Sequence, residues 1–183
     1  MKLDGILELL TIDRSKEKRL QNNSIPLQSI LKQEASGNAN DLEKYVAQMH
    51  NALELLRNMA IKNYMVQLLK EKDDTVISKL LDILEQSTND EIRQSTAHIL
   101  FLLSRYETFA KTIIQENGIE RIYNNLLSYV YDKKYNMIHR ERLIERVSRL
   151  FIEIFDHKTI NEGIVLKGIS VYNLIRFGLH RII

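Results

Sequence analysis

The side chains able to do acid–base or ligand chemistry are few and scattered along this chain. Its five histidines are His50, His98, His139, His157 and His180, each far from the next. The best ligand pair is His50 with Glu54, one helical turn apart on a common face. A metal centre needs several convergent donors, and no third donor accompanies these two, so the pair reads as a surface hydrogen bond. There is no cysteine. That excludes a disulfide framework, a thiolate metal site and a cysteine nucleophile, and agrees with a reducing compartment. Asn117-Gly118 and Lys167-Gly168 carry single glycines outside any glycine-rich strand-to-helix run, so they read as helix stops and not as phosphate loops. No catalytic set emerges. The expectation is a non-enzyme with no metal or other cofactor.

Charge narrows the partners. Lys and Arg number 26 against 24 Asp and Glu, a formal charge of +2, with both signs interleaved along nearly every segment. Such interleaving marks solvated helix faces, and it gives nucleic acid no electrostatic hold. The basic clusters Lys16-Lys18-Arg19 and His139-Arg140-Arg142 are broken by Glu17 and Glu141 and read as solvated surface. The opening stretch places Asp4 and Glu8 within its apolar run, which is too short for a signal peptide or a membrane span. A soluble, cytoplasmic protein that contacts other proteins is expected.

The elements that must position these groups are helices. There is one proline, Pro26, and glycines number 6, so breakers are scarce. Leu42, Tyr45, Val46, Met49, Leu53, Leu56 and Ala60 recur mostly at spacings of three or four, and Ile144, Val147, Leu150, Phe151, Ile154 and Phe155 do the same. No stretch alternates with β-branched enrichment, so no sheet is predicted. Pro26 suits a first helical turn, Asn38 to Asp41 and Asn89-Asp90-Glu91 offer caps, and Asn117-Gly118 suits a left-handed stop. Long helices are predicted from near Asp41, Asn89 and Met137, each followed by a pair of short ones. A short helix opens the chain and another runs from about Ser24 to Ala35.

An internal repeat organises these helices. Offsetting the chain by 45 residues superposes Ala52 on Ala97, Leu55 on Leu100, Leu56 on Phe101 and Ile77 on Ile122. A further offset of 50 residues brings Val147, Leu150 and Phe151 onto Ala97, Leu100 and Phe101, the extra length falling in Tyr131 to Asn136. That period belongs to helical solenoids. The run TNDEIRQSTAHILFLLSR, followed by YETFAKTIIQENG and IERIYNNLLSYV, resembles the long third helix of an armadillo repeat and the two helices of the next unit. DGILELL resembles an isolated second helix. The resemblance implies an all-α, right-handed α-α superhelix of about three repeats across residues 41–183, with residues 1–40 as a partial repeat packed into the same domain.

The resemblance also implies a concave binding face lined by the third helices. The peptide-holding tryptophan and asparagine of armadillo proteins fall on Glu54 and Asn58, then Ile99 and Leu103, then Arg149 and Glu153. Only the asparagine is kept, so nuclear-signal recognition does not carry over. Ile99, Leu102 and Leu103 exceed the apolar set that the 45-residue offset assigns to the core. They read either as the apolar centre of a groove with a polar rim that includes His50, or as parts of a helix buried all round. At the C-terminal edge Tyr172, Ile175, Phe177, Leu179 and Ile182 lie where no further repeat follows, which would expose an interface or allow self-association. An adaptor or subunit of a larger complex is the expected function. The alternative is a chaperone cofactor similar to the armadillo-type nucleotide exchange factors of seventy-kilodalton heat-shock chaperones.

Overall fold

The computed structural model describes residues 3–22, 26–131 and 137–157. All regular structure among them is helical, in ten helices and no strand: α1 Leu3–Leu9, α2 Arg14–Asn22, α3 Leu27–Ala35, α4 Asp41–Ile61, α5 Asn63–Lys70, α6 Asp73–Gln86, α7 Asp90–Ser104, α8 Glu107–Gln115, α9 Gly118–Tyr131 and α10 Met137–Asp156. None of the described helices is long and apolar enough to cross a membrane.

Local chemistry sets the long helices. Asn40 caps α4 by accepting from Leu42 and Glu43 N–H, while the Glu43 carboxylate accepts from Asn40 N–H at 2.8 Å, so two orphan donors are satisfied reciprocally. Asn89 caps α7 by accepting from Glu91 and Ile92 N–H, and Asp90 and Glu91 then place negative charge at the positive end of the dipole. Pro26 sits one residue before α3 and makes no side-chain cap. The stop at Asn117-Gly118 differs in detail from the sequence expectation. Asn117 takes the left-handed conformation, with φ 53°, and Gly118 already begins α9. Glycine is required there for space, because a Cβ would lie 2.5 Å from the Ile113 carbonyl oxygen.

α4, α7 and α10 form a layer with α7 in the middle, packed most extensively on α10 and next on α4. They run in the same direction. Arg146 of α10 donates to the Gln94 carbonyl towards the start of α7, while His157, just past α10, donates from Nε2 to the Ser104 carbonyl at the end of α7, 2.7 Å away. Along α4 and α7, Arg57 bears on His98, and further on Ala60 and Ile61 meet Leu102, Arg105 and Tyr106. The shorter helices cover the layer from behind: α6 packs on α7, α8 and α9, and α9 packs on α10. α1, α2 and α3 close the free side of α4.

One apolar cluster runs from Ile6 to Phe155 through all these contacts. Each fully buried leucine or isoleucine contributes about 1.5–3 kcal/mol relative to exposure. The buried positions recur between the long helices, with Leu53, Ala97 and Val147 matching, then Leu56, Leu100 and Leu150, then Ala60, Ser104 and Ile154. The first step is therefore 44 residues and not 45, and the second is 50. The 45-residue offset keeps Ala52 with Ala97 and Ile77 with Ile122, all buried, but fails at Leu55, which is 41% exposed where Leu100 is buried.

α2 was not among the expected helices, and its Glu17 is no mere interruption of a basic cluster. Its carboxylate is buried and accepts from Tyr45 Oη on α4 and from the backbone N–H and hydroxyl of Thr88, between α6 and α7. Three elements far apart in sequence are thereby tied together.

Candidate functional site

The side of the three-helix layer that no other described helix covers centres on His98. From α4 it carries Glu54, Arg57 and Ile61, from α7 His98, Leu102 and Arg105, and from α10 Arg146 and Arg149. The caps at Asn40 and Asn89 fix where α4 and α7 start, and the buried matches above fix how each is rotated. Every side chain on the face follows from those two constraints.

The one-residue correction in offset decides which residues reach the surface. A step of one residue turns a helix by 100°, enough to exchange face for core. Ile99 and Leu103, expected as the apolar centre of a groove, are both 0% exposed. They belong to the core between neighbouring helices, and no partner reaches them in the folded chain. At 44 residues, Glu54 matches His98 and Asn58 matches Leu102, and both of these are partly exposed positions of α7. Asn58 and Arg149 are exposed, while His50, Glu54 and Glu153 are intermediate. Ile152, which matches Leu102 on α10, is 50% exposed.

The expected pair of His50 with Glu54 is not formed. Glu54 turns to Arg57, with Oε2 2.6 Å from Nη2, and His50 Nδ1 is buried without a hydrogen-bond partner. No group of three or more histidines or carboxylates among the described residues could hold a metal ion. The C-terminal positions Tyr172, Ile175, Phe177, Leu179 and Ile182 lie outside the described residues.

Electrostatics around His98 are dominated by arginine. Burial first, then the charges of Arg146 and Arg57, hold its imidazole below the usual range, with Glu54 opposing and Arg149 adding to the effect. The ring is therefore neutral near pH 7, and it stacks on Phe101 with centroids 6.3 Å apart. Arg146 is itself pushed down, by burial and then by Arg142, yet a guanidinium stays charged. Glu145 Oε1 meets Arg149 Nη2 at 2.7 Å, so both acids nearest the face are already paired. Arg105, Arg142 and Arg146 have no carboxylate within ion-pair distance among the described residues.

One turn further along α4 and α7 lies a hollow of about 360 Å³ lined by Ala60, Ile61, Leu102, Arg105 and Tyr106. Ile61 is 57% exposed at its edge. A second, shallower depression between α2 and α6 includes Glu17 and Thr88, but their polar atoms are engaged in the buried bonds that tie α2 down.

Arg57, His98, Arg105, Arg142 and Arg146 were not expected from the sequence. The available signal was the match of small and apolar residues Leu53 with Ala97 and Ala60 with Ser104, which selects 44 residues over 45. The chain matches no family model, no curated protein and no solved structure.

Proposed function

We propose that this chain is a non-catalytic interaction module, an armadillo-like right-handed helical array, that docks a partner protein on the uncovered face of α4, α7 and α10 within a larger complex. The observation that carries the reading is that face itself. It joins the exposed apolar side chains Ile61 and Ile152 and the partly buried Leu102 to a rim of arginines, on a layer that packs against α6, α8 and α9. Apolar centres with polar rims are how protein interfaces are built, and arginine is enriched in them. The recurrence of buried positions in three successive long helices supports the repeat reading.

Affinity purification of tagged protein from its source tests the proposal. Ile61→Asp should release the co-purifying partner while melting stays close to wild type, because Ile61 is 57% exposed at the edge of the hollow. Leu68→Asp on α5, exposed and outside the lining of the hollow, should leave the partner bound. Equal retention by both variants would contradict the proposal.

A further inference from the structure

We infer that the partner segment held on this face is an acidic peptide with a large apolar side chain, its carboxylates lying along Arg105, Arg146 and Arg142 and its apolar group filling the hollow at Leu102. The inference rests on the docking role proposed above and gives the partner its chemistry.

Charge complementarity argues for it. Glu54 and Glu145 are each taken up by an arginine of their own helix, Arg57 and Arg149. What remains, beside Glu153 on α10, is a set of guanidinium groups, of which Arg146 also donates to the Gln94 carbonyl. Arg105 stands at the rim of the hollow on α7, and Arg142 and Arg146 stand one turn apart on α10. The charge of Arg57 also bears on Arg146, so positive charge is continuous from α4 to α10 across His98. Like charges held together in this way are relieved by an incoming anion, and guanidinium forks suit carboxylates bidentately.

The hollow adds the second requirement. It opens between Ile61 and Leu102, one helical turn, about 5.4 Å, beyond Arg57 and His98 on their respective helices. A volume of about 360 Å³ accommodates a phenylalanine, leucine or methionine side chain. An extended peptide rises about 3.3 Å per residue, and Arg146, level with Gln94, stands about 12 Å before Leu102 along α7, so a carboxylate about four residues from such a side chain reaches it while one beside that side chain meets Arg105. Nucleic acid suits the face less well. Glu54, Glu145 and Glu153 interrupt the cations, and a phosphate backbone requires an unbroken basic stripe.

Selection of a random peptide display library on the immobilised full chain tests the inference. The expected result is enrichment of Asp or Glu flanking one Phe, Leu, Ile or Met. Winning peptides should bind about tenfold more weakly after Arg105→Glu, and again after Arg142→Glu, both exposed positions whose reversal leaves the core alone. Replacing the peptide's apolar residue by Ala, or the exposed Ile61 by Asp, should abolish binding. Failure of any sequence to enrich, enrichment of basic peptides, or tighter binding of a single-stranded oligonucleotide than of the best peptide would overturn it. Neutral winners that are lost with Ile61→Asp but not with Arg105→Glu would overturn the acidic preference and leave the docking face standing.

Discussion

Tyr45 donates its hydroxyl hydrogen to the buried carboxylate of Glu17 across 3.0 Å, joining α2 to the long helix α4. The other carboxylate oxygen accepts from Thr88 N–H at 2.7 Å and from its hydroxyl at 2.9 Å. Tyr45 also accepts from Asp13 N–H, and burial raises its phenol above the ordinary range, so the hydroxyl remains a donor at all ordinary pH. The position of the first two helices against the array depends on this node.

Glu17→Ala strands the Tyr45 hydroxyl and the Thr88 N–H, which should cost about 2–4 kcal/mol, or about 5–10 °C in melting temperature for a chain of this size. Tyr45→Phe removes one bond and should cost about 1 kcal/mol. The double variant should lose less than the sum, since both changes break the same contact. Additive losses in thermal melts would show that the two side chains act independently.

Ile99→Ser with Leu103→Ser should destabilise the chain by several kcal/mol, because both side chains are fully buried and the hydroxyls would have no partner. Leu102→Ser between them, at a partly exposed position, should cost less, about 1–2 kcal/mol. Urea unfolding followed by circular dichroism separates the two. Equal midpoints would place all three residues in the same environment, contrary to the structure.

Gly118→Ala should lower stability by about 1–3 kcal/mol, since the new Cβ meets the Ile113 carbonyl oxygen at 2.5 Å and its Cγ2 at 2.7 Å. Asn117→Gly should be neutral or slightly favourable, as Asn117 already holds a positive φ of 53°. The opposite order of melting temperatures would mean that the left-handed residue is Gly118.

His98 makes stability depend on pH with a definite sign. Its folded value lies below the ordinary 6.5, so between the two values the unfolded chain binds more protons. Stability should be fully present above about pH 7, decline as pH falls through 6.5, and level off below the folded value. His98→Gln should remove this part of the slope. Melts from pH 5 to pH 8 that are parallel for the two proteins would contradict the assignment. A carboxylate bound beside His98 favours its charged form, so peptide binding should take up a proton and tighten as pH falls.

Sequence legibility followed locality. Helix starts at Asp41 and near Asn89 were readable because an asparagine cap and the residues it serves lie within three positions. The start at Met137 followed from periodicity. All-helical character was readable from apolar spacing alone. The face was not. A helix of period 3.6 with apolar residues on several sides, as in the stretch Ile99 to Leu103, fits two offsets nearly equally, and one residue of error exchanges Leu102 and His98 for Leu103 and Ile99. Glu17 was illegible for another reason. Its partners Tyr45 and Thr88 are 28 and 71 residues away, and only tertiary packing brings them together.

The docking face is tested most directly by site-specific photocrosslinking in extracts of the source. A benzophenone side chain at position 102 or 152, on the uncovered face, should form a covalent adduct with one discrete partner, and Arg105→Glu in the same chain should diminish it. The same probe at position 68, exposed on α5, should give none. An adduct from position 68 with none from 102 or 152 would place the partner off this face and contradict the account.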